Sequence, residues 1–405
     1  MNAVGIDVSK GKSMVAVARP FGEVVVTPYE VRHTVGELRA LARSLQSLNG
    51  ETRVVLEHTG RYYEPVVRIL HDAGIFVCAV NPLLIKEYGN NSIRRIKTDK
   101  ADALKIARYG LDNWAELREH TPVEAIRKQL KTMNRQYSLY VKNKTAFKNN
   151  LIALLDQTYP GANTYFDSPV REDGSQKWVD FVATFWHVDC VRGTGINAFT
   201  ERCRKWCKRH GYNFNATKFA AIYEDSRELV PILPKNDSAK VLVQAAIEQL
   251  NAISRTVEVI RAEMRRLAEQ LPEYPVVMDM FGVGPSLGPQ LMAEIGDVRR
   301  FKHRGSLTAF AGVDPMPNQS GSVERKSNPS SKRGSPYLRK TLFIVMTVLL
   351  QQAPAGEPVY DFLHKKRSEG KPYYVYMTAG ANKFLRIYYG CVKEYLASID
   401  KIQMS

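Results

Sequence analysis

The stretch AVGIDVSKGKSMVAVARPFGEVVVTPYEV, residues 3–31, decides the fold. AVGIDVS is a short apolar strand. SMVAVARPFGEVVVTPYEV is two alternating runs broken at Pro20-Phe21-Gly22, which reads as a hairpin. Downstream, VGELRALARSLQSLNG has helical periodicity and ends in Asn-Gly, and TRVVLEHTG is a strand ending at Gly60. YYEPVVRILHDAG is a helix closed by Gly74, and IFVCAV is a fifth strand. Three leading strands followed by alternating helices and strands predict a mixed sheet with flanking helices, an α/β domain. One polar residue disturbs the first strand: Asp7 sits inside an apolar run, where a charge costs free energy unless it is paired or ligated.

The chain has 405 residues and a formal net charge of +17. That length allows two or three domains, and that charge points to a polyanionic partner, most often nucleic acid. The alternative is a basic surface with no dedicated partner. Five irregularly spaced cysteines make no disulfide framework and fit a reducing compartment. MNAVGIDVSK carries an acid and no apolar signal core. The longest apolar run, TLFIVMTVLL at 341–350, is about half a membrane span and reads as a buried helix. A soluble cytoplasmic protein with no membrane partner is expected.

From 125 to 155 the pattern changes to a heptad seam: Ile126, Leu130, Met133, Tyr137, Tyr140, Lys144, Phe147, Leu151 and Leu154. Arg127, Lys128, Lys131, Arg135, Lys142 and Lys148 surround it, and no acid occurs between Glu124 and Asp156. That stripe reads as a contact for a nucleic-acid backbone or as a plain helical spacer. A second seam runs from Val243 through Leu250, Val257 and Met264 to Leu271. The two helices could pair with each other or across a dimer. Between them, 157–237 is rich in aromatics and holds His187, Cys190, Cys203, Cys207 and His210, whose spacing matches no standard zinc pattern. Cys203 and Cys207 read as helix-face packing.

The last block begins with MFGVGPSLGPQLMAEIGDV, a Gly-x-Gly turn before an apolar helix, similar to a helix-hairpin-helix or to a simple turn. Then comes a polar stretch, DPMPNQSGSVERKSNPSSKRGSPY at 314–337. From Asp297 to Lys340, ten Lys and Arg against three acids leave +7.

The carboxylates form a second pattern. Asp7 lies in the first strand, Glu57 ends the fourth, and Asp99 and Asp102 of KTDKADA open the helix after the fifth. Adjacent strand ends lie side by side, and positions i and i+3 share a helix face. Four such oxygen donors suit Mg²⁺ or Mn²⁺, and two ions could clamp a phosphodiester displacement. Taken separately, Asp99 reads as an N-cap and Asp102 as a favourable charge at a helix start. GIDVSKGKSMVAVARPFGEVV also looks like the first phosphate loop of actin-like sugar kinases and chaperone ATPases, but no second Asp-x-Gly phosphate motif follows.

In order, GIDVSK, LEHTG, NPLLIKEY, KTDKADA, FGVGPSLGPQLMAEIGD, LTAFAGVDP and SGSVERKSNPSSKRGSPYLRKTL resemble the DEDD-type insertion-sequence transposases. That family includes the Piv-type DNA invertases and the bridge-RNA-guided recombinases. The resemblance covers roughly 1–155 and 275–390 and says nothing about 157–237. It implies three parts: a RuvC-like (ribonuclease-H-like) metal domain at 1–115, a basic helical coiled-coil region at 120–275, and a mainly α transposase domain at 276–405. Asp7, Glu57, Asp99 and Asp102 match the family's catalytic and metal-binding quartet, and Ser320 matches its nucleophilic serine, with Ser322 the nearest rival. The resemblance implies a covalent phosphoserine intermediate on double-stranded donor and target DNA. It also implies a composite site in a homodimer or homotetramer and, in guided members, a non-coding RNA, in a prokaryotic cytoplasm. Arg127, Lys128, Lys131, Arg135, Lys142, Arg325, Lys326, Lys332, Arg333, Arg339 and Lys340 are the expected nucleic-acid contacts. From residues alone, Ser320 is one of several serines in a polar loop. A RuvC-like endonuclease with no covalent step, similar to Holliday-junction resolvases, is the second reading, and a non-enzymatic nucleic-acid-binding protein is the third.

Overall fold

The computed structural model describes residues 1–57, 62–88, 98–120, 125–315, 319–320, 323–324 and 330–404, and these divide into two compact units, 1–123 and 124–405. In the first unit, β1 (Asn2–Ser9), β2 (Lys12–Ala18) and β3 (Val24–Arg32) form an antiparallel meander. The turn at Pro20–Gly22 is closed by the Arg19 amide donating to the Glu23 carbonyl at 2.8 Å. Next come α1 (Val35–Gln46), β4 (Thr52–Glu57), α2 (Glu64–Asp72), β5 (Phe76–Val80), α3 (Pro82–Glu87) and α4 (Asp99–Asp112). β4 runs parallel to β1 and β5 parallel to β4, so the sheet order is β3-β2-β1-β4-β5. This mixed sheet with flanking helices is the architecture that the alternating strand and helix patterns predict.

Strand alternation sends the side chains to opposite faces. Val4, Ile6, Val54 and Leu56 pack with Leu38, Leu41, Leu45, Val66 and Leu70 of α1 and α2. Ala3, Gly5 and Val55 face α4 instead. Of the expected strand ending at Gly60, β4 is the described part, and residues 58–60 lie outside the described residues.

The second unit is almost entirely helical. It begins with α5 (Ala125–Thr158), followed by the short helices α6 (Lys177–Thr184), α7 (Asp189–Arg192), α8 (Ile196–His210) and α9 (Ala216–Glu228). α10 (Asp237–Ala268) then returns along α5 within the same chain. The insertion builds an aromatic core of its own on the distal halves of these two helices, around Tyr159, Phe181, Phe185, Phe199 and Trp206. Cys203 and Cys207 are buried in that core, and burial pushes both thiols up. His187 Nε2 meets the Leu233 carbonyl at 3.0 Å. These groups therefore serve packing and chain connection.

A second core joins the proximal ends of α5 and α10 to α11 (Tyr274–Met278), α12 (Leu287–Ile295), α13 (Arg304–Ala311), α14 (Pro336–Gln352), α15 (Pro358–Ser368) and α16 (Tyr373–Met404). Between α13 and α14 stands a two-stranded ribbon, β6 (Gln319–Ser320) and β7 (Val323–Glu324). The apolar run at 341–350 forms α14, with Leu342, Val345, Met346 and Leu349 fully buried. Among the described residues no helix is long and apolar enough to cross a membrane. Gly282 of the Gly-x-Gly turn has φ +76° and leans on α14: a Cβ there would meet Leu349 Cγ at 3.0 Å and the Val345 carbonyl at 3.2 Å. That turn is a packing contact.

Candidate active site

The site in the first unit is set by one glycine. A Cβ on Gly5 would lie 2.0 Å from the Ala103 carbonyl and 2.4 Å from the Ala107 amide, so only glycine lets α4 lie directly on β1. Further along the helix, Gly110 sits against Ala3 and Val55. The helix thus runs from the C-terminal end of β1 toward its N-terminal end, and its first turn lies beyond Gly5, toward Asp7. Asp7 follows Gly5 by two positions and points to the same face. Ile6 is in register with Leu56, so Asp7 and Glu57 are the next residues on two adjacent parallel strands. Glu57 shares the parity of Val55 and therefore also faces α4. In sheets of this type, strand C-terminal ends are the usual place for a site.

Asp99 is exposed, Asp102 partly buried, and both belong to the first turn of α4. The N-cap is Thr98, whose hydroxyl accepts from the Ala101 amide at 3.2 Å. This corrects the expectation for Asp99, which is the first residue inside the helix and has no capping duty. Both carboxylates gain from the positive end of the helix dipole. Lys12, held chiefly by Glu30 at 2.7 Å, also feels the charge of Asp99.

Asp7 is pushed up to about 6, first by burial and then by the charges of Asp102, Asp99 and Glu57, while the Val8 amide pulls it back. The four carboxylates are therefore electrostatic neighbours. Among the described residues no three His, Cys, Asp or Glu side chains stand close enough to hold a metal ion. The quartet is a convergent set short of a closed cage. Its donors are hard oxygens, and a divalent cation would relieve their mutual repulsion, so the residues fit Mg²⁺ or Mn²⁺.

Ser320 belongs to the second unit. Its backbone pairs antiparallel with Val323, and Pro315 bridges Ser330. The base of this arm is pinned: the Ser331 amide and hydroxyl donate to Asp314 at 2.9 and 2.6 Å, and the Lys332 amide to the Gly312 carbonyl at 3.2 Å. Ser322, Arg325 and Lys326 lie outside the described residues.

One of the expected nucleic-acid contacts, Arg127, is corrected, and two more, Arg135 and Arg339, also engage protein groups. Arg127 is buried on α5 and holds the buried Glu273 through two hydrogen bonds, one at 2.9 Å. Arg135 donates to Glu294 at 2.9 Å and lies 3.5 Å over the Tyr337 ring. Arg339 donates to the carbonyls of Ala311 and Gly334 at 2.9 and 3.2 Å. Arg127 is thereby committed to the helical core, and protein groups brace Arg135 and Arg339. Lys128, Lys131, Lys142, Lys148, Lys332, Arg333 and Lys340 are exposed. Sequence reasoning missed Glu273 and Glu294, because partners 146 and 159 positions away leave no local signal.

The profile described as "Transposase", of the DEDD IS110 type, matches residues 4–160. The profile described as "Transposase IS116/IS110/IS902 family" matches residues 274–361. Together they cover more than half of the chain. The "Insertion element IS116 uncharacterized 44.8 kDa protein" of Streptomyces clavuligerus is 23% identical over 91% of this chain and 88% of its own. The "Pilin gene-inverting protein" of Moraxella bovis is 22% identical over 84% of this chain and 80% of its own. Among solved structures, Thermus thermophilus RuvC in complex with a Holliday junction substrate matches at 17% identity and a TM-score of 0.24, over 29% of this chain and 96% of that one.

Proposed function

We propose, for a chain that belongs to the IS110/IS116 transposase family, that DNA is cut and rejoined through the carboxylate quartet and a serine nucleophile. The observation that carries this reading is that Asp7 and Glu57, at one end of β1 and β4, lie on the face covered by α4, whose first turn bears Asp99 and Asp102. These four residues would hold Mg²⁺ or Mn²⁺, whose chemistry is to neutralise charge building up on a scissile phosphate. Ser320 Oγ attacks phosphorus, a phosphoserine bond forms, and one strand leaves with a free hydroxyl. Rejoining reverses the step with a hydroxyl from another strand, so the number of phosphodiester-type bonds is conserved. The serine proton passes to a quartet carboxylate or to solvent.

The three-part division carries over as the proposed division of labour: the metal domain at 1–115, the helical region at 120–275 and the serine-bearing domain at 276–405. The exposed lysines of α5, with Lys332, Arg333 and Lys340, would track phosphates of donor and target DNA. A non-coding guide RNA and a homodimer or homotetramer with a shared site complete the proposal. Asp7→Asn should abolish cleavage, and excess chelator should do the same. Ser320→Ala should abolish the denaturation-resistant protein–DNA species while leaving nucleic-acid binding in place. An adduct that survives in Ser320→Ala and disappears in Ser322→Ala would move the nucleophile. Cleavage with no trapped adduct in the unsubstituted chain would favour the endonuclease reading. Sequencing RNA that copurifies with the protein tests the guide.

A further inference from the structure

Glu294 on α12 is fully buried, and its partners come from three directions. Asn134 Nδ2 donates to Oε1 at 2.9 Å, Arg135 donates to Oε2 at 2.9 Å, and the Ser335 hydroxyl donates to Oε2 at 2.9 Å. Asn134 and Arg135 belong to α5, whereas Ser335 is the N-cap of α14 and the last residue of the segment that carries the arm. The same Ser335 hydroxyl accepts from the Leu338 amide at 3.2 Å, and the Ser335 amide donates to the Phe310 carbonyl at 2.8 Å. Arg135 also lies on Tyr337, two residues into α14. One buried carboxylate therefore ties the exit of the arm to a residue pair on the long helix.

Apolar packing of α12 on α5 needs no such charge, and a buried carboxylate is costly unless every oxygen is satisfied. A hydrogen-bonded charge adds what apolar contacts lack, which is a fixed direction. We infer that Glu294, through Ser335 and Arg135, is a positioning residue that sets the root of the Ser320 arm on α5. This inference rests on the reading of Ser320 as nucleophile. Small displacements at such a root would be amplified at the reacting atom, where rates fall steeply with misplacement.

The test uses the full-length chain and a DNA duplex containing a junction of the insertion element. Adduct formation is timed per DNA-bound molecule, and amide hydrogen exchange is followed at Ser331 and Lys332. Ser335→Ala removes the bond to Glu294, and Ser335→Thr keeps a hydroxyl in place. Ser335→Ala should slow adduct formation by about tenfold or more, change DNA affinity by less than about twofold, and speed exchange at both amides. Ser335→Thr should restore the rate to within about threefold. A rate that falls only with the folded fraction, or that threonine fails to restore, overturns the inference. If Ser320→Ala still forms the adduct, the nucleophile reading fails separately. Exchange at Ser331 and Lys332 then decides the positioning role: faster exchange in Ser335→Ala supports it, and unchanged exchange overturns it.

Discussion

Asp7 and Glu294 are both removed from solvent, in part for Asp7 and wholly for Glu294, yet their surroundings are opposite. Burial and three other carboxylates dominate the setting of Asp7. Glu294 receives three hydrogen bonds, one of them from a guanidinium. The first arrangement stores repulsion that a cation would relieve, whereas the second is already neutralised and directs the chain. Repelling charge marks the proposed chemical site, and satisfied charge marks the scaffold.

The contrast can be broken at several points. The largest effect on stability is expected where a buried pair is cut. Arg127→Ala leaves Glu273 buried without its guanidinium and should destabilise the second unit by about 3–5 kcal/mol, read from urea or thermal denaturation. A loss below about 1 kcal/mol would mean that Glu273 is readily rehydrated. Gly5→Ala comes next, since the added carbon would overlap the backbone of α4. A loss of about 1–3 kcal/mol is expected, together with loss of cleavage, because the turn bearing Asp99 and Asp102 must lift. Retained cleavage would show that the quartet tolerates a raised helix.

Asp7→Asn is the smallest effect on stability and runs the other way. Removing a charge held among carboxylates should stabilise the protein by about 1 kcal/mol at neutral pH, after allowance for solvent screening, while cleavage is lost. The pH dependence has a definite sign. The folded state holds the Asp7 proton up to about 6 against an unfolded value of 3.8, so stability falls as pH rises between those values and is level above. Added Mg²⁺ or Mn²⁺ should flatten that fall. A metal-free protein whose stability rises over the same interval would contradict the electrostatic account of the quartet.

Much of the first unit was legible in the sequence. Alternating apolar runs gave the strands, and a charge inside the first of them singled out Asp7. Thr98 was legible as a cap as well, since a threonine precedes the helix, but the neighbouring Asp99 drew the capping role. The basic stripe on α5 was only half legible. Its lysines are exposed as expected, but Arg127 and Arg135 turn to acids that local spacing cannot reveal. The 314–337 segment reads as a polar loop. The root of that loop is nevertheless held by Asp314, Ser331 and Ser335, polar residues that look like linker until their distant partners are known.

The sequence by itself determined the strand and helix periods, the excess positive charge and the four acids in their order. Those depend on local repetition and composition, which neighbouring residues carry. The tertiary structure decided which arginines are struts, which carboxylate is held to direct the arm, and why the fifth residue must be glycine. Those depend on non-local contacts, such as Gly5 with Ala103, 98 positions away, and Arg135 with Glu294, 159 positions away, where only the folded chain brings the groups together.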